Sequence, residues 1–346
     1  MQQMNKNRPD ISVVIPTFNS EKSIEITLKY LEEALLAADT NAQIIVIDKS
    51  DDLTRERVLS FADTFKQGTV EIHRQQGNGR FLARSEGLSF VKNEVVLLID
   101  SRVFIDRYSL NHVLNHFDLE PNQCWVAHVR AQTSGNLIAG VWQAIEHVAW
   151  RKYFKNPRHV QFGISDFDHF PKGTTAAIAS RTILLEAVND FEVRLRPEIS
   201  ADDNQLLRLI AQRWGINISP EYSALYNART TLRQLVQHGF QKGSTFCDGN
   251  LRFGSRFFAV LVVFLISTPL GISLLVLEPI WAATSLIGLT LLVGPTSTVF
   301  GSRPSDSFSL ALFFIPLSIS YGLGIWRWVI LKIWSLARST LTIKRN

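Results

Sequence analysis

Residues 11–20 read ISVVIPTFNS, and an amphipathic stretch at 21–38 follows them directly. An apolar run closed by proline and polar residues is typical of a buried strand, because proline cannot continue a backbone ladder. The pattern repeats, since short β-branched runs at 42–47 and 70–73 and a fully apolar run at 95–99 are each preceded by a helix-like stretch. Strands that alternate with helices predict an α/β fold with a mostly parallel sheet and helices on both faces.

Three polar residues stand where predicted strands end: Asn19, Asp48 and Asp100. Sheets of this kind bind ligands at the carboxyl ends of their strands, so we expect these residues to share one site. Further along, where the alternation is less regular, the pattern predicts a strand at 123–129 and a helix at 202–213.

Charge is distributed unevenly along the chain. Of its 36 Lys and Arg and 31 Asp and Glu residues, residues 251–346 hold eight basic and only two acidic ones. The positive charge therefore belongs to an apolar C-terminal third, which suits an anionic membrane surface better than nucleic acid. The two cysteines, Cys124 and Cys247, form neither a disulfide framework nor a metal-ligand spacing, which is typical of a reducing compartment.

Three uncharged apolar segments follow Arg256. They are residues 257–277, 279–300 and 308–326. Each is long enough to cross the hydrocarbon core of a membrane, for which about 20 residues suffice. We therefore predict a cytoplasmic domain in residues 1–250 and a membrane domain with a basic tail in residues 251–346. The polar start of the chain lacks the apolar core of a secretory signal, in keeping with a cytoplasmic first domain.

The number of membrane spans stays open at this stage. Three spans would place the basic tail opposite the first domain, against the positive-inside rule. The tail residues are Lys332, Arg338, Lys344 and Arg345. Either one apolar segment is re-entrant or interfacial, or residues 326–338, with their Trp and Lys/Arg alternation, lie in the headgroup layer.

Six blocks resemble, in the same order, those of family 2 glycosyltransferases, the nucleotide-diphospho-sugar enzymes of GT-A fold. They are ISVVIPTFNS (11–20), IVIDKSDDLT (45–54), GRFLARSEG (79–87), VVLLIDSRVFID (95–106), KGTTAAIASR (172–181) and ADDNQLLRL (201–209). The resemblance covers about residues 10–250. It implies a Rossmann-like GT-A domain on the cytoplasmic side of a bacterial inner membrane.

The resemblance also implies roles for individual residues. On the donor side these are Pro16, Thr17, Asn19, Asp48, Gly79, Arg84, Asp100 and Arg102, and on the acceptor side Gly173 and Thr174. A fixed carboxylate such as Asp48 can accept hydrogen bonds from a base or ribose, and the Arg84 guanidinium matches phosphate geometry. Turn and capping chemistry for Asn19, and a solvated basic helix face for Arg84 with Arg80, are the structural alternatives.

Asp100-Ser101-Arg102 departs from the Asp-x-Asp motif of the family. In that motif, carboxylates hold a divalent cation, Mg²⁺ or Mn²⁺, against the diphosphate. Asp100 is the one expected metal ligand here. Three outcomes are open: a cation held by Asp100, water and diphosphate; positive charge supplied by Arg102 itself; or an inactive site.

Asp202 and Asp203 begin a predicted helix. Inverting transfer needs one carboxylate that deprotonates the acceptor hydroxyl, although acidic residues in a first turn also complement the helix dipole. The alignment to the family's Glu-Asp pair can shift by one residue. We expect Asp203 to be the base, with Asp202 as its neighbour and the reserve candidate.

The resulting hypothesis is an inverting glycosyltransferase that uses a nucleotide-diphospho-sugar and a membrane-associated, lipid-linked acceptor in surface glycan or exopolysaccharide assembly. Residues 237–241 do not match the Gln-x-x-Arg-Trp motif of processive synthases, so single transfer is expected. We expect a phospholipid bilayer as partner and no nucleic acid. Two alternatives stay open: a catalytically degenerate, nucleotide-binding or scaffold subunit of a membrane complex, and a membrane-anchored nucleotidyltransferase.

Overall fold

The computed structural model describes residues 8–117, 123–191 and 202–343, with side chains up to residue 335. Ala201, which opens the last family-like block, and Lys344 and Arg345 of the basic tail lie outside the described residues.

Contacts divide the chain into two units. Of the described residues, the first unit comprises 8–132, 152–191 and 202–228, and the second comprises 133–151 and 229–343. The domain boundary predicted at residue 250 stays a prediction.

The first unit is built on one sheet with nine strands in the described part of the chain. They are β1 (Ile11–Thr17), β2 (Ala42–Asp48), β3 (Gly68–Arg74), β4 (Val95–Ile99), β5 (Val103–Ile105), β6 (Cys124–Ala131), β7 (Val160–Phe162), β8 (Ala176–Ser180) and β9 (Ile216–Tyr226). Their order is β3-β2-β1-β4-β8-β6-β9-β5, and β7 pairs with β9.

Helices of the first unit cover both faces of this sheet. They are α1 (Ile24–Ala38), α2 (Thr54–Ala62), α3 (Arg80–Leu88), α4 (Ser109–Phe117), α6 (Arg151–Phe154), α7 (Arg181–Asn189) and α8 (Asp202–Arg213). Two apolar clusters fill the space between helices and sheet, one on each face. The predicted α/β fold is confirmed.

The first four strands form the parallel part of the sheet. β1 lies between β2 and β4, and β2 pairs with β3, all in parallel. Every residue of β1, β2 and β4 is buried, as expected for strands covered on both faces. The register places Thr17 beside Asp48, so two predicted donor residues meet at one edge.

β8 lies antiparallel between β4 and β6. Its first residue, Ala176, therefore pairs with Ile99, the last residue of β4. The segment that precedes β8 consequently lies at the same edge of the sheet as the residues that follow β4.

The second unit comprises helices α5 (Leu137–Ala149), α9 (Leu232–Asn250), α10 (Phe258–Leu277), α11 (Pro279–Val299), α12 (Pro304–Leu312) and α13 (Phe314–Ile343). Three segments of the described chain are long and apolar enough to cross a membrane: Phe258–Leu277, Pro279–Val299 and Phe314–Ser335. Glu278 alone separates the first two, which agree with the predicted segments.

The third segment differs from the predicted 308–326. One helix ends at Leu312 and the next begins at Phe314, with Pro316 in its first turn. A first turn is the position in a helix that proline fits best, which agrees with a helix that begins just before Pro316. The 326–338 segment continues the same helix, α13.

Candidate active site

Asp48 is buried at the end of β2 and fixed by its neighbours. Only 1% of it is exposed. Thr17 Oγ1 donates a hydrogen bond to Asp48 Oδ1 at 2.7 Å, and the Ser50 N–H donates to the same oxygen at 3.1 Å. The carboxylate therefore has a defined orientation at the edge where a donor nucleotide is expected.

Asn19 ties two loops together at this edge. Its backbone has a φ of 49°, in the left-handed region that asparagine tolerates better than most residues. Its N–H donates to Ser50 Oγ at 2.8 Å, and its Oδ1 accepts from the Asp51 N–H at 3.0 Å. Pro16 precedes it within β1, opposite Ile47. The loop-shaping alternative for Asn19 is thus present in the structure.

Arg84 joins two predicted site residues. It is 2% exposed, its Nη2 donates to Asp100 Oδ1 at 2.7 Å, and its Nη1 donates to Asp203 Oδ1. Burial alone lowers the pKa of this guanidinium, but the charges of Asp203 and Asp100 outweigh it and raise the pKa above its usual value. Arg84 is therefore a permanent cation between two carboxylates.

Thr174 completes this group from the segment before β8. It is fully buried, and its Oγ1 donates to Asp203 Oδ1 at 2.6 Å. The backbone carbonyl of Thr175 accepts from the Asp100 N–H at 2.9 Å, which fixes this segment beside the end of β4. Gly173, the other predicted acceptor-side residue, immediately precedes Thr174 in the same loop.

Asp203 is the carboxylate of the Asp202-Asp203 pair that meets both Arg84 and Thr174. Both acids lie in the first turn of α8, as predicted. The Asp203 side chain is 30% exposed, so it is held on one side and accessible on another. The expectation that Asp203 and not Asp202 is the base stays a prediction.

Gly79 opens α3, which carries Arg84. Its φ of 94° is a conformation that L side chains rarely adopt. The Glu86 carboxylate accepts from the N–H groups of Gln76 at 3.0 Å and Gly77 at 2.8 Å, which shapes the loop before Gly79. At the other end of the helix, a Cβ on Gly87 would collide with Val14, so glycine lets α3 lie close to β1.

The Asp100-Ser101-Arg102 turn is held by its middle residue. Ser101 Oγ lies 2.7 Å from Ser20 Oγ, and its carbonyl accepts from Thr27 Oγ1 at 3.0 Å. Arg102 is half-buried, and its carbonyl accepts from the Asn227 N–H at 2.9 Å.

The residues present are a poor fit to a cation site on their own. Asp100 Oδ1 accepts from Arg84, and its Oδ2 lies 3.9 Å from Arg80 Nη1. Across the described ranges, no three His, Cys, Asp or Glu residues are grouped so that they could hold a metal ion. Two guanidinium groups therefore compete with any cation for the Asp100 carboxylate.

The link from Thr174 to Asp203, and the joint contact of Arg84 with Asp100 and Asp203, had not been predicted from the sequence. They depend on the antiparallel direction of β8 and on the position of α8, for which the local sequence carries no signal.

The parallel strands, with carboxylates and an arginine at their carboxyl ends, define an α/β nucleotide-binding domain of the GT-A kind. Residues 12–179 match the model of glycosyl transferase family 2, so the chain carries a family 2 glycosyltransferase domain, as predicted. No curated protein sequence matches the chain.

Solved structures agree on this fold. The mannosyltransferase PcManGT from Pyrobaculum calidifontis, in complex with GDP-Man and Mn²⁺, is 16% identical with a TM-score of 0.55; the match covers 91% of this chain and 88% of that one. S. aureus TarS 1–349 in complex with UDP-GlcNAc is 16% identical with a TM-score of 0.51, covering 91% and 92%. At such identities, the likeness concerns the fold.

Proposed function

We propose that this protein is a membrane-anchored, inverting glycosyltransferase. It transfers a sugar from a nucleotide-diphospho-sugar to a membrane-associated acceptor, with Asp203 as the base. The observation that carries the proposal is the group formed by Arg84, Asp100, Asp203 and Thr174 at the carboxyl ends of the strands.

The donor side is the edge formed by β1, β2 and β4. Asp48, oriented by Thr17 and Ser50, is suited to accept hydrogen bonds from a base or ribose. Arg84 and Arg80 place two positive charges beside Asp100, where the diphosphate is expected. Nucleotide-bound relatives support this donor class, since they contain GDP-Man, UDP-GlcNAc or UDP.

The chemistry follows from the position of Asp203. Its carboxylate takes the proton of the acceptor hydroxyl, and the hydroxyl oxygen forms a bond to the anomeric carbon. The bond from that carbon to the diphosphate oxygen breaks, and the nucleoside diphosphate leaves with the electron pair. Thr174 and Arg84 both donate to Asp203 Oδ1, which fixes the direction of the base.

A divalent cation, as bound in PcManGT, would neutralise charge on the diphosphate. Asp100 is the residue that would contact it. Because the Asp-x-Asp motif here reads Asp100-Ser101-Arg102, Arg102 is proposed to supply part of that positive charge.

The acceptor is proposed to be lipid-linked. The segments Phe258–Leu277 and Pro279–Val299 would anchor the enzyme at a bilayer, and anchoring restricts it to acceptors carried by the membrane. A polyprenyl-linked glycan in surface polysaccharide assembly, with the catalytic domain in the cytoplasm, fits this arrangement.

Transfer assays test the proposal. Nanodisc-purified protein is incubated with UDP-, GDP- and dTDP-sugars and Mn²⁺, Mg²⁺ or EDTA, and mass spectrometry follows hydrolysis and transfer. We expect turnover with one donor, and a loss of about 100-fold or more in Asp203→Asn, since a general base contributes about 10²–10⁴-fold. Asp202→Asn is the matched control and should keep most activity.

Turnover that survives Asp203→Asn would exclude the assigned base. Nucleotide binding without turnover across the panel would instead support the degenerate scaffold alternative, which the missing second carboxylate favours. Turnover in EDTA would show that the protein's own cations replace the metal.

A further inference from the structure

We infer that the third apolar segment does not cross the membrane: α13 lies along the bilayer surface, and only the α10–α11 hairpin spans it. The inference rests on the proposed membrane anchorage. It is carried by the contacts of α13 with α9 within the second unit.

Helices α9 and α13 run parallel and in close contact. Gly239 of α9 lies against Ser320 of α13, and Trp328 Nε1 of α13 donates to Asp248 Oδ1 of α9 at 3.2 Å. The two helices therefore run in the same direction. Between these points, a Cβ on Gly243 would collide with the Tyr321 carbonyl. Likewise, a Cβ on Gly324 would collide with the Phe240 carbonyl. The two helices therefore share any position relative to the bilayer.

α9 is too polar to lie in the hydrocarbon core of a membrane. Its exposed side chains are mostly polar: Arg233, Gln237, Gln241 and Lys242 are exposed, beside the apolar Leu232 and Val236. Backbone groups of α9 are satisfied within the helix, but these polar side chains would lose their hydration in lipid. Since α9 stays in water or headgroups, the part of α13 packed on it stays there too.

Arg327 and Trp328, which lie in α13, also indicate that α13 does not span the membrane. Trp328 follows Phe314 by 14 residues, so a span that begins at Phe314 would place it about 20 Å into the bilayer. At that depth its indole would meet the Asp248 carboxylate, and the Arg327 guanidinium, 5.4 Å from the Phe240 ring, would lie near the membrane centre. Charged groups are strongly disfavoured there.

The α10–α11 hairpin behaves differently. Residues 266–292 are exposed or half-buried throughout. Glu278, at the turn, is the one charged residue among them. α13 contacts α10 near the start of α10, where Gly322 and Ile325 meet Leu261 and Phe264. α13 therefore crosses the base of the hairpin and does not run beside it.

The remaining face of α13 fits a lipid surface. Ile319, Leu323, Ile330 and Ile333 are exposed and lie within one face of the helix. Ile319 and Leu323 also border a groove shared with α9. A helix with one apolar face towards lipid and a polar partner behind it is suited to the interface plane. An even number of spans also leaves Lys332 and the basic tail on the side where α10 begins, in agreement with the positive-inside rule.

Cysteine labelling tests the inference in the full chain. Cys124 and Cys247 are buried, and burial raises the pKa of each thiol to about 12, so wild type serves as an unreactive background at pH 7.5. Glu278→Cys marks the hairpin turn, Ser335→Cys the end of the third apolar segment, and Lys66→Cys the first unit. A membrane-impermeant maleimide is added to sealed vesicles of each orientation, and detergent gives the total.

We expect Ser335→Cys and Lys66→Cys to react from one side and Glu278→Cys from the other. Reaction of Ser335→Cys from the side of Glu278→Cys, or only after detergent, overturns the inference. If all three react from one side, the hairpin does not cross, and it is the proposed anchorage that fails. Lys332→Cys repeats the measurement one turn earlier, should Ser335→Cys be poorly folded.

Discussion

The Arg84 guanidinium lies between Asp100 and Asp203, almost wholly buried. In the sequence, Arg84 is one of two arginines a helical turn apart, and a phosphate contact and a solvated basic face are both reasonable. The structure separates the two residues: Arg80 is 63% exposed, whereas Arg84 connects the expected phosphate side to the expected base. One residue thus links the carboxylate expected near the phosphates to the carboxylate proposed as the base.

Replacing Arg84 should destabilise the protein strongly. Arg84→Met leaves two carboxylates without their buried cation, and breaking a buried pair costs about 3–5 kcal/mol. For a unit of this size, each kcal/mol lowers the thermal midpoint by about 2–4 °C. Thermal unfolding of detergent-purified protein measures the change.

Arg80→Met is the matched control, because Arg80 Nη1 lies 3.9 Å from Asp100 and is mostly in solvent. Exposed pairs of this kind contribute about 0–1 kcal/mol. Equal midpoints for the two variants would contradict the role given to Arg84.

Among the elements, strands β1, β2 and β4 were predictable because each is mostly apolar and has a polar residue near its end. β3 contains Glu71 and His73, and its β-branched residues and its place after a helix-like stretch predicted it. The direction of β8 was not predictable, since the sequence of Ala176–Ser180 reads AAIAS and says nothing of its partners. Thr174 owes its place beside Asp203 to that direction. The break between α12 and α13 lies just before Pro316, but Pro269 and Pro295 lie inside unbroken helices, so a proline in an apolar segment did not by itself predict it.

The contact between α9 and α13 could not be predicted from the sequence either. Glycines in α9 look like helix-weakening residues until a second helix is seen against them. Gly243 and Gly324 each stand where a side chain would strike the opposite backbone. Close approach of two helices is what such small residues permit.

Gly243→Leu should separate these helices. Overpacking a tight contact costs about 1–3 kcal/mol, which exceeds the gain in helix propensity of about 1 kcal/mol. Gly271→Leu, in α10, is the control, because no atom lies within 4 Å of its added Cβ. The thermal midpoint should fall for Gly243→Leu and stay level or rise for Gly271→Leu; the reverse order would refute the packing described.

For the whole molecule, charge and hydropathy of the last third predicted a membrane protein, and three apolar helices of sufficient length are present. Composition could not predict which of these helices contacts lipid, because a helix packed on a protein neighbour can have the same composition as one packed in a bilayer.

The complete protein should stay in the membrane fraction after extraction with alkaline carbonate. Two helices across the bilayer bury far more apolar surface than a helix on its surface, and neither depends on charge. Leu323→Lys with Ile330→Lys removes the apolar surface face of α13 but leaves the hairpin intact, so this variant should also remain in the pellet. Release of either protein into the supernatant would speak against a spanning hairpin.

The turn between α10 and α11 is short, since Glu278 ends one helix and Pro279 begins the other. With both helices across the bilayer, the far side of the membrane carries one turn and no loop. A protease or an antibody that approaches from there meets almost nothing of this protein, whereas from the near side it meets the entire catalytic unit. In the proposed arrangement, probes applied to the far side of the membrane would therefore detect this protein only through its single turn.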